Sequence, residues 1–146
     1  MADTKNMNRS DAIKKIKDVA EDISICMFCT HTEGIPFETR PMGTRKVDED
    51  GSIWFLSSDN FSKKIENMHD DKVQLIYSKP SQTYFLSIFG HAEVIKDFLK
   101  IEKLGNNLIK ALLPEEKRNP NLTFIRITPE HANFWDTKNG KMLSLL

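Results

Sequence analysis

The lengths of the links between strand-forming runs constrain this chain's fold most. Ile25 to Thr30 is a compact apolar run rich in strand formers. His31-Thr32-Glu33-Gly34 then reads as a turn. Glu38 to Val47 resumes an extended pattern, with Pro41 pointing to an edge or a bulge. Asp48-Glu49-Asp50-Gly51 is a hairpin turn, and Ile53 to Ser57 follows as a strand. Links this short join antiparallel strands, because a parallel pair needs a crossover of about a dozen residues or more. Val73 to Tyr77 and Thr83 to Val94 read as further strands, and Gly90 predicts a bulge or bend in the longer one. Leu122 to Ile127 and His131 to Trp135 read as two more, and Asn139-Gly140 is a turn signal.

Helices flank these runs. Ser10 is a candidate N-cap, and Ile13, Ile16, Ala20 and Ile23 follow at helical spacing, which predicts a helix near 10–22. A short helix is expected from Ser62 to Met68, capped by Asn60 or Ser62. Asp97 opens a longer one whose stripe is Phe98, Ile101, Leu104, Leu108 and Leu112, and Pro114 stops it before a polar loop. The order of elements argues for an α+β fold with a barrel or rolled, mainly antiparallel sheet. With no linker or internal repeat, residues 1–146 read as a single domain, with 1–9 expected to be flexible.

Composition excludes several classes. Lys plus Arg and Asp plus Glu balance at 21 each, so nothing drives the chain globally toward nucleic acid or an anionic membrane. No apolar run approaches the roughly 18 residues of a membrane span. Met1 to Arg9 lacks the apolar stretch of a signal peptide, and a cytoplasmic location is expected. Cys26 and Cys29 form a C-x-x-C, but strand positions three apart face opposite ways. They read as buried small hydrophobes, not as a metal or disulfide pair. The histidines at 31, 69, 91 and 131 lack ligand spacing, so no metal site is expected. Phosphate-binding, dinucleotide and nucleophile-elbow glycine motifs are absent, as is H-E-x-x-H.

Two basic motifs remain, on either side of the strand Ser52-Ile53-Trp54-Phe55-Leu56-Ser57-Ser58. One is Arg40-Pro41-Met42-Gly43-Thr44-Arg45; the other is Ser62-Lys63-Lys64. A helix N-terminus attracts anions, and adjacent lysines in a first turn are unfavourable unless an anion offsets them. Read alone, however, the lysines fit an ordinary solvated surface pair better. Arg40 and Arg45 face opposite ways in an unbroken strand, and a bulge near Pro41 or Gly43 would change that parity.

In order and spacing, these segments resemble the flavin-binding split-barrel superfamily of pyridoxamine phosphate oxidase, most closely its general stress protein 26 branch. Further markers are Ser87-Ile88-Phe89-Gly90-His91-Ala92-Glu93 and Phe134-Trp135. The resemblance implies a six-stranded split β-barrel with flanking helices and a homodimer with FMN at its interface. By position it places Arg40, Pro41 and Met42 along the flavin ring and Arg45 toward the ribityl chain or phosphate. Leu56, Ser57 and Ser58 would stand near the ribityl chain and phosphate. Ser62, Lys63 and Lys64 would hold the phosphate, and a partner subunit's Trp135 would pack near the ring. His91 is the titratable candidate nearest the expected site. Between Lys103 and Lys110 the chain lacks the residues with which the oxidase holds pyridoxamine phosphate, and Asp136 to Lys141 lacks its Arg and His. The resemblance therefore implies a flavin-dependent oxidoreductase acting on another small molecule. A flavin carrier or sensor without turnover, or a barrel using deazaflavin F420 or haem, are its rivals.

Overall fold

The computed structural model describes residues 3–96 and 123–146. The strands are β1 (Asp3–Asn6), β2 (Ile25–Thr30), β3 (Glu38–Val47), β4 (Ile53–Ser57), β5 (Lys72–Lys79), β6 (Tyr84–Ile95), β7 (Thr123–Asp136) and β8 (Lys141–Ser144). Helix α1 (Arg9–Ile23) precedes β2, and α2 (Asp59–Glu66) follows β4. Strands β7-β4-β3-β2-β5-β6 lie side by side, and a β6–β7 pairing closes them into a six-stranded barrel. Every pairing within it is antiparallel, as the short links require. The fold is an α+β split barrel.

Alternating residues turn Phe28, Phe55, Leu75, Leu86, Ile88 and Ile125 into the barrel interior, where all are buried. Tyr77 joins them, with its hydroxyl 2.6 Å from Thr44 Oγ1. Cys26 and Cys29 are buried and free. Burial is the main cause that raises the Cys26 thiol to about 12, which leaves it unreactive. Helix α1 covers one side of the barrel with Ala12, Ile16, Val19 and Ala20.

Several elements differ from expectation. Helix α1 is capped by Asn8, not Ser10; the Asn8 side chain accepts the Asp11 N–H at 2.9 Å. The two runs before and after Pro129 form one strand, β7, because β6 pairs with both. A bulge absorbs the change of register, with Phe89 opposite His131 and Gly90 opposite Pro129. A Cβ on Gly90 would stand 2.4 Å from the Thr128 carbonyl oxygen, so the close approach requires glycine. The turn at Asn139-Gly140 leads into β8, which the sequence pattern did not announce. Asp3–Asn6 pairs in parallel with β8. The helix expected from Asp97 to Pro114 lies outside the described residues. Among the described residues no helix is long and apolar enough to cross a membrane.

Candidate functional site

The site begins where β3 changes partners. From Glu38 to Gly43 it pairs with β2, and from Thr44 to Val47 with β4. Pro41, expected at an edge or a bulge, lies on the half flanked by β2 alone, where its missing N–H costs no ladder bond. Two residues of β3 then oppose one step of β4, from Thr44–Phe55 to Lys46–Trp54, so Arg45 is the extra residue of a bulge. Beyond it the two strands part, and α2, which follows β4 directly, enters the gap. Phe61 of α2 packs edge-on against Phe28 at 5.6 Å, and Phe28 packs likewise on Phe55 at 5.4 Å.

A cavity of about 460 Å³ lies between α2 and the free half of β3. That volume is in the range of small-molecule sites, about 300–1,000 Å³. Cross-strand pairing explains its lining: Phe28 stands opposite Arg40 and Thr30 opposite Glu38, so the four share the inward face. Thr39 and Pro41 line it from the edge of β3, and Phe61 and Lys64 from α2. The Arg40 guanidinium lies 4.0 Å from the centre of the Phe61 ring. Lys64 Nζ is 4.0 Å from Glu38 Oε2, and His31 Nδ1 is 3.6 Å from the same oxygen. Among the described residues no carboxylate pairs with Arg40. The arrangement presents two cations over an aromatic floor, with two threonines at hand. It suits a ligand with an anionic group and a flat apolar part.

The residues singled out from sequence divide accordingly. Arg40, Pro41 and Lys64 meet in the cavity. Met42 lies one step deeper on the same face, buried in the core. The bulge comes too late to bring Arg45 beside Arg40; alternation is unbroken from 40 to 44, and Arg45 is exposed away from the cavity. The short helix starts earlier than expected, at Asp59, and its cap is Ser58, whose hydroxyl accepts the Phe61 N–H at 3.4 Å. Lys63 and Lys64 therefore occupy the last turn, the end where the dipole favours cations. The expected electrostatic conflict at a helix start does not exist. Ser62 is fully buried, and its hydroxyl is bonded to Thr123 Oγ1. Lys63 pairs with Asp59 one turn earlier at 3.2 Å. Ser57 is buried and donates to the Ser58 carbonyl at 3.0 Å, and Leu56 is half-buried. Sequence reasoning passed over Phe28, Thr30, Glu38, Thr39 and Phe61, which only strand register and helix placement bring together.

Trp135 lies on the outer face of the barrel, paired with Phe85 on one side and Met142 on the other. The adjacent cross-strand row runs Pro41–Met27–Ile76–Ser87–Asn133. Ile25, Met27 and Ile76 on this side are exposed at 62%, 40% and 42%, an apolar strip that reaches back to the cavity edge at Pro41. His91 does not line the cavity. It sits at the β6–β7 bulge, with Nδ1 2.7 Å from Asp71 and Nε2 2.8 Å from Glu130. Its bond to Asp71, then that to Glu130, raises its pKa.

Solved structures share this fold. General stress protein 26 from Bacillus anthracis superposes with a TM-score of 0.60 at 20% identity, covering 95% of this chain and 100% of that one. A Clostridium acetobutylicum protein related to general stress protein 26 gives 0.65 at 18%, covering 92% and 95%. A general stress FMN/FAD binding protein from Xanthomonas citri gives 0.61 at 22%, covering 86% and 88%. No curated protein matches the sequence significantly. Residues 11–146 match the family described as pyridoxamine 5'-phosphate oxidase like, and the chain belongs to that family.

Proposed function

We propose that this chain is a cytoplasmic flavin-binding stress-type protein that holds FMN in the cavity between β3 and α2. The observation that carries this reading is the joining, above Phe28 and Phe61, of Arg40, which pairs with no carboxylate among the described residues, and Lys64, which meets Glu38 only at 4.0 Å. The family and the likeness to the Xanthomonas citri FMN/FAD binding protein support it. Arg40 and Lys64 would bind the phosphate, and the edge backbone at Thr39 and Pro41 would meet the ribityl chain or ring. Met42 would support the ring from within the core. Ser62 and Thr123 would fix α2 against β7 and so hold Lys64 in place, because their hydroxyls bind each other. The apolar strip with Ile25, Met27 and Ile76 would be covered by a second copy in a homodimer, which would bring the partner subunit's Trp135 toward the flavin. FMN, when bound, supplies electron transfer. The activity we propose is oxidoreduction of a small molecule other than pyridoxamine phosphate.

Freshly purified protein should be yellow with a flavin spectrum, or become so with added FMN. A colourless protein that refuses FMN overturns the reading, and a haem or deazaflavin spectrum replaces it. Lys64→Ala should weaken FMN binding about 10-fold or more, as expected for loss of a charge-assisted bond. Lys63→Ala should weaken it far less, since Lys63 does not line the cavity. Steady oxidation of a nicotinamide donor with an electron acceptor separates an enzyme from a carrier, and efficient turnover of pyridoxamine phosphate refutes the substrate assignment.

A further inference from the structure

We propose that Glu38 is a built-in competitor for Lys64, which holds cofactor affinity down so that bound FMN exchanges with free FMN. The inference rests on the flavin reading above. Strand register turns Glu38 toward the cavity as the cross-strand partner of Thr30. There its carboxylate stands 4.0 Å from the Lys64 ammonium, a loose contact between side chains 58% and 69% exposed. A pair this exposed is weak and readily exchanged. A carboxylate oxygen and a phosphate oxygen ask the same thing of an ammonium, so both cannot hold Lys64 at full strength.

Charge gives the direction. Arg40 and Lys64 bring two positive charges to the cavity and Glu38 one negative charge, leaving one net positive. A phosphate monoester carries a charge of about −1.5 to −2 at neutral pH. Glu38 thus cancels half of the charge that would complement the ligand. The two cations also differ in readiness. Arg40 rests on the Phe61 ring and needs no release, whereas Lys64 must leave Glu38. Lys63 is no substitute, because it does not line the cavity. The expected result is a cofactor that can be lost and regained instead of a permanent prosthetic group.

The test titrates FMN and riboflavin, which lacks the phosphate, against wild type, Glu38→Gln, Lys64→Ala and the double variant. Glu38→Gln should tighten FMN about three- to tenfold and leave riboflavin unchanged. In the Lys64→Ala background the gain should shrink to the part that comes from Glu38's own repulsion of the phosphate. Unchanged or weaker FMN binding by Glu38→Gln overturns the competition, as does an equal gain for riboflavin or in the Lys64→Ala background. Glu38→Ala repeats the measurement should the amide itself bind phosphate. Failure of wild type and all variants to bind FMN overturns the flavin reading itself, while FMN binding that ignores Glu38 overturns only the competition.

Discussion

At the β6–β7 bulge, His91 is gripped from two sides by Asp71 and Glu130, and nearby Arg126 holds Glu93 at 2.7 Å. At the parting of β3 and β4, Arg40 rests on a phenyl ring and Lys64 reaches its nearest carboxylate only at 4.0 Å. The two regions both gather charged groups, yet use them differently. Around the bulge, strands stay paired on both sides and each charge faces a fixed partner. At the gap, β3 has lost one neighbour, and the helix that replaces it supplies side chains without locking them. A charge in unbroken pairing is consumed by the fold; one at a broken pairing is left for a ligand. Removing groups at the bulge should therefore cost stability, and removing them at the gap should cost binding.

The sharpest way to break this contrast lies at the bulge. Gly90→Ala puts a methyl group 2.4 Å from the Thr128 carbonyl oxygen, and a backbone atom in a paired strand cannot yield cheaply. We expect a loss of about 3 kcal/mol in chemical denaturation. Whatever remains folded should bind FMN as wild type does. Unchanged stability would show that the bulge is free to shift, and that the barrel's closed end is not rigid.

The converse substitution is Arg40→Ala. It should lower FMN affinity about 10- to 100-fold, from loss of a charge-assisted bond. Stability should change by only about 1 kcal/mol or less, the worth of an exposed cation–ring contact. Calorimetric binding and thermal melting on the same sample measure both. A large loss of stability with little loss of binding would place Arg40 with the structural charges instead.

Legibility in the sequence follows the same division. The antiparallel sheet could be read because hairpin-length links are local signals, while its closure into a six-stranded barrel came from the family resemblance. The Gly90 bulge was visible for the same reason. Strands β1 and β8 were missed because four-residue strands are too short to show a pattern. The misplacement of α2 had one cause: Ser58, Asn60 and Ser62 are all plausible caps, and only Phe61 packing on Phe28 decides among them. That error reversed the dipole argument for Lys63 and Lys64, although Lys64 does reach the cavity. Arg40 and Lys64 stood out by charge alone. Glu38 did not, because its inward direction depends on register with Thr30, a relation between strands that no local pattern encodes.

The smallest effect expected lies in the pH response of the gripped histidine. Its bonds to Asp71 and Glu130 raise the His91 pKa in the folded state above the ordinary value of about 6.5. A raised folded pKa means the folded protein binds the proton more tightly than the unfolded chain. The resulting stabilisation is fully present below the unfolded value and fades as pH rises through the folded value. The His91 side chain is 39% exposed, so solvent screening limits the gain to about 0.5 kcal/mol. Denaturation of wild type and His91→Gln from pH 5.5 to pH 9 should show the largest difference at the acid end, shrinking as pH rises. FMN affinity should stay equal between the two throughout. A difference that grows with pH would mean His91 is held as the neutral ring, and that the bulge's charges are not paired as its geometry implies.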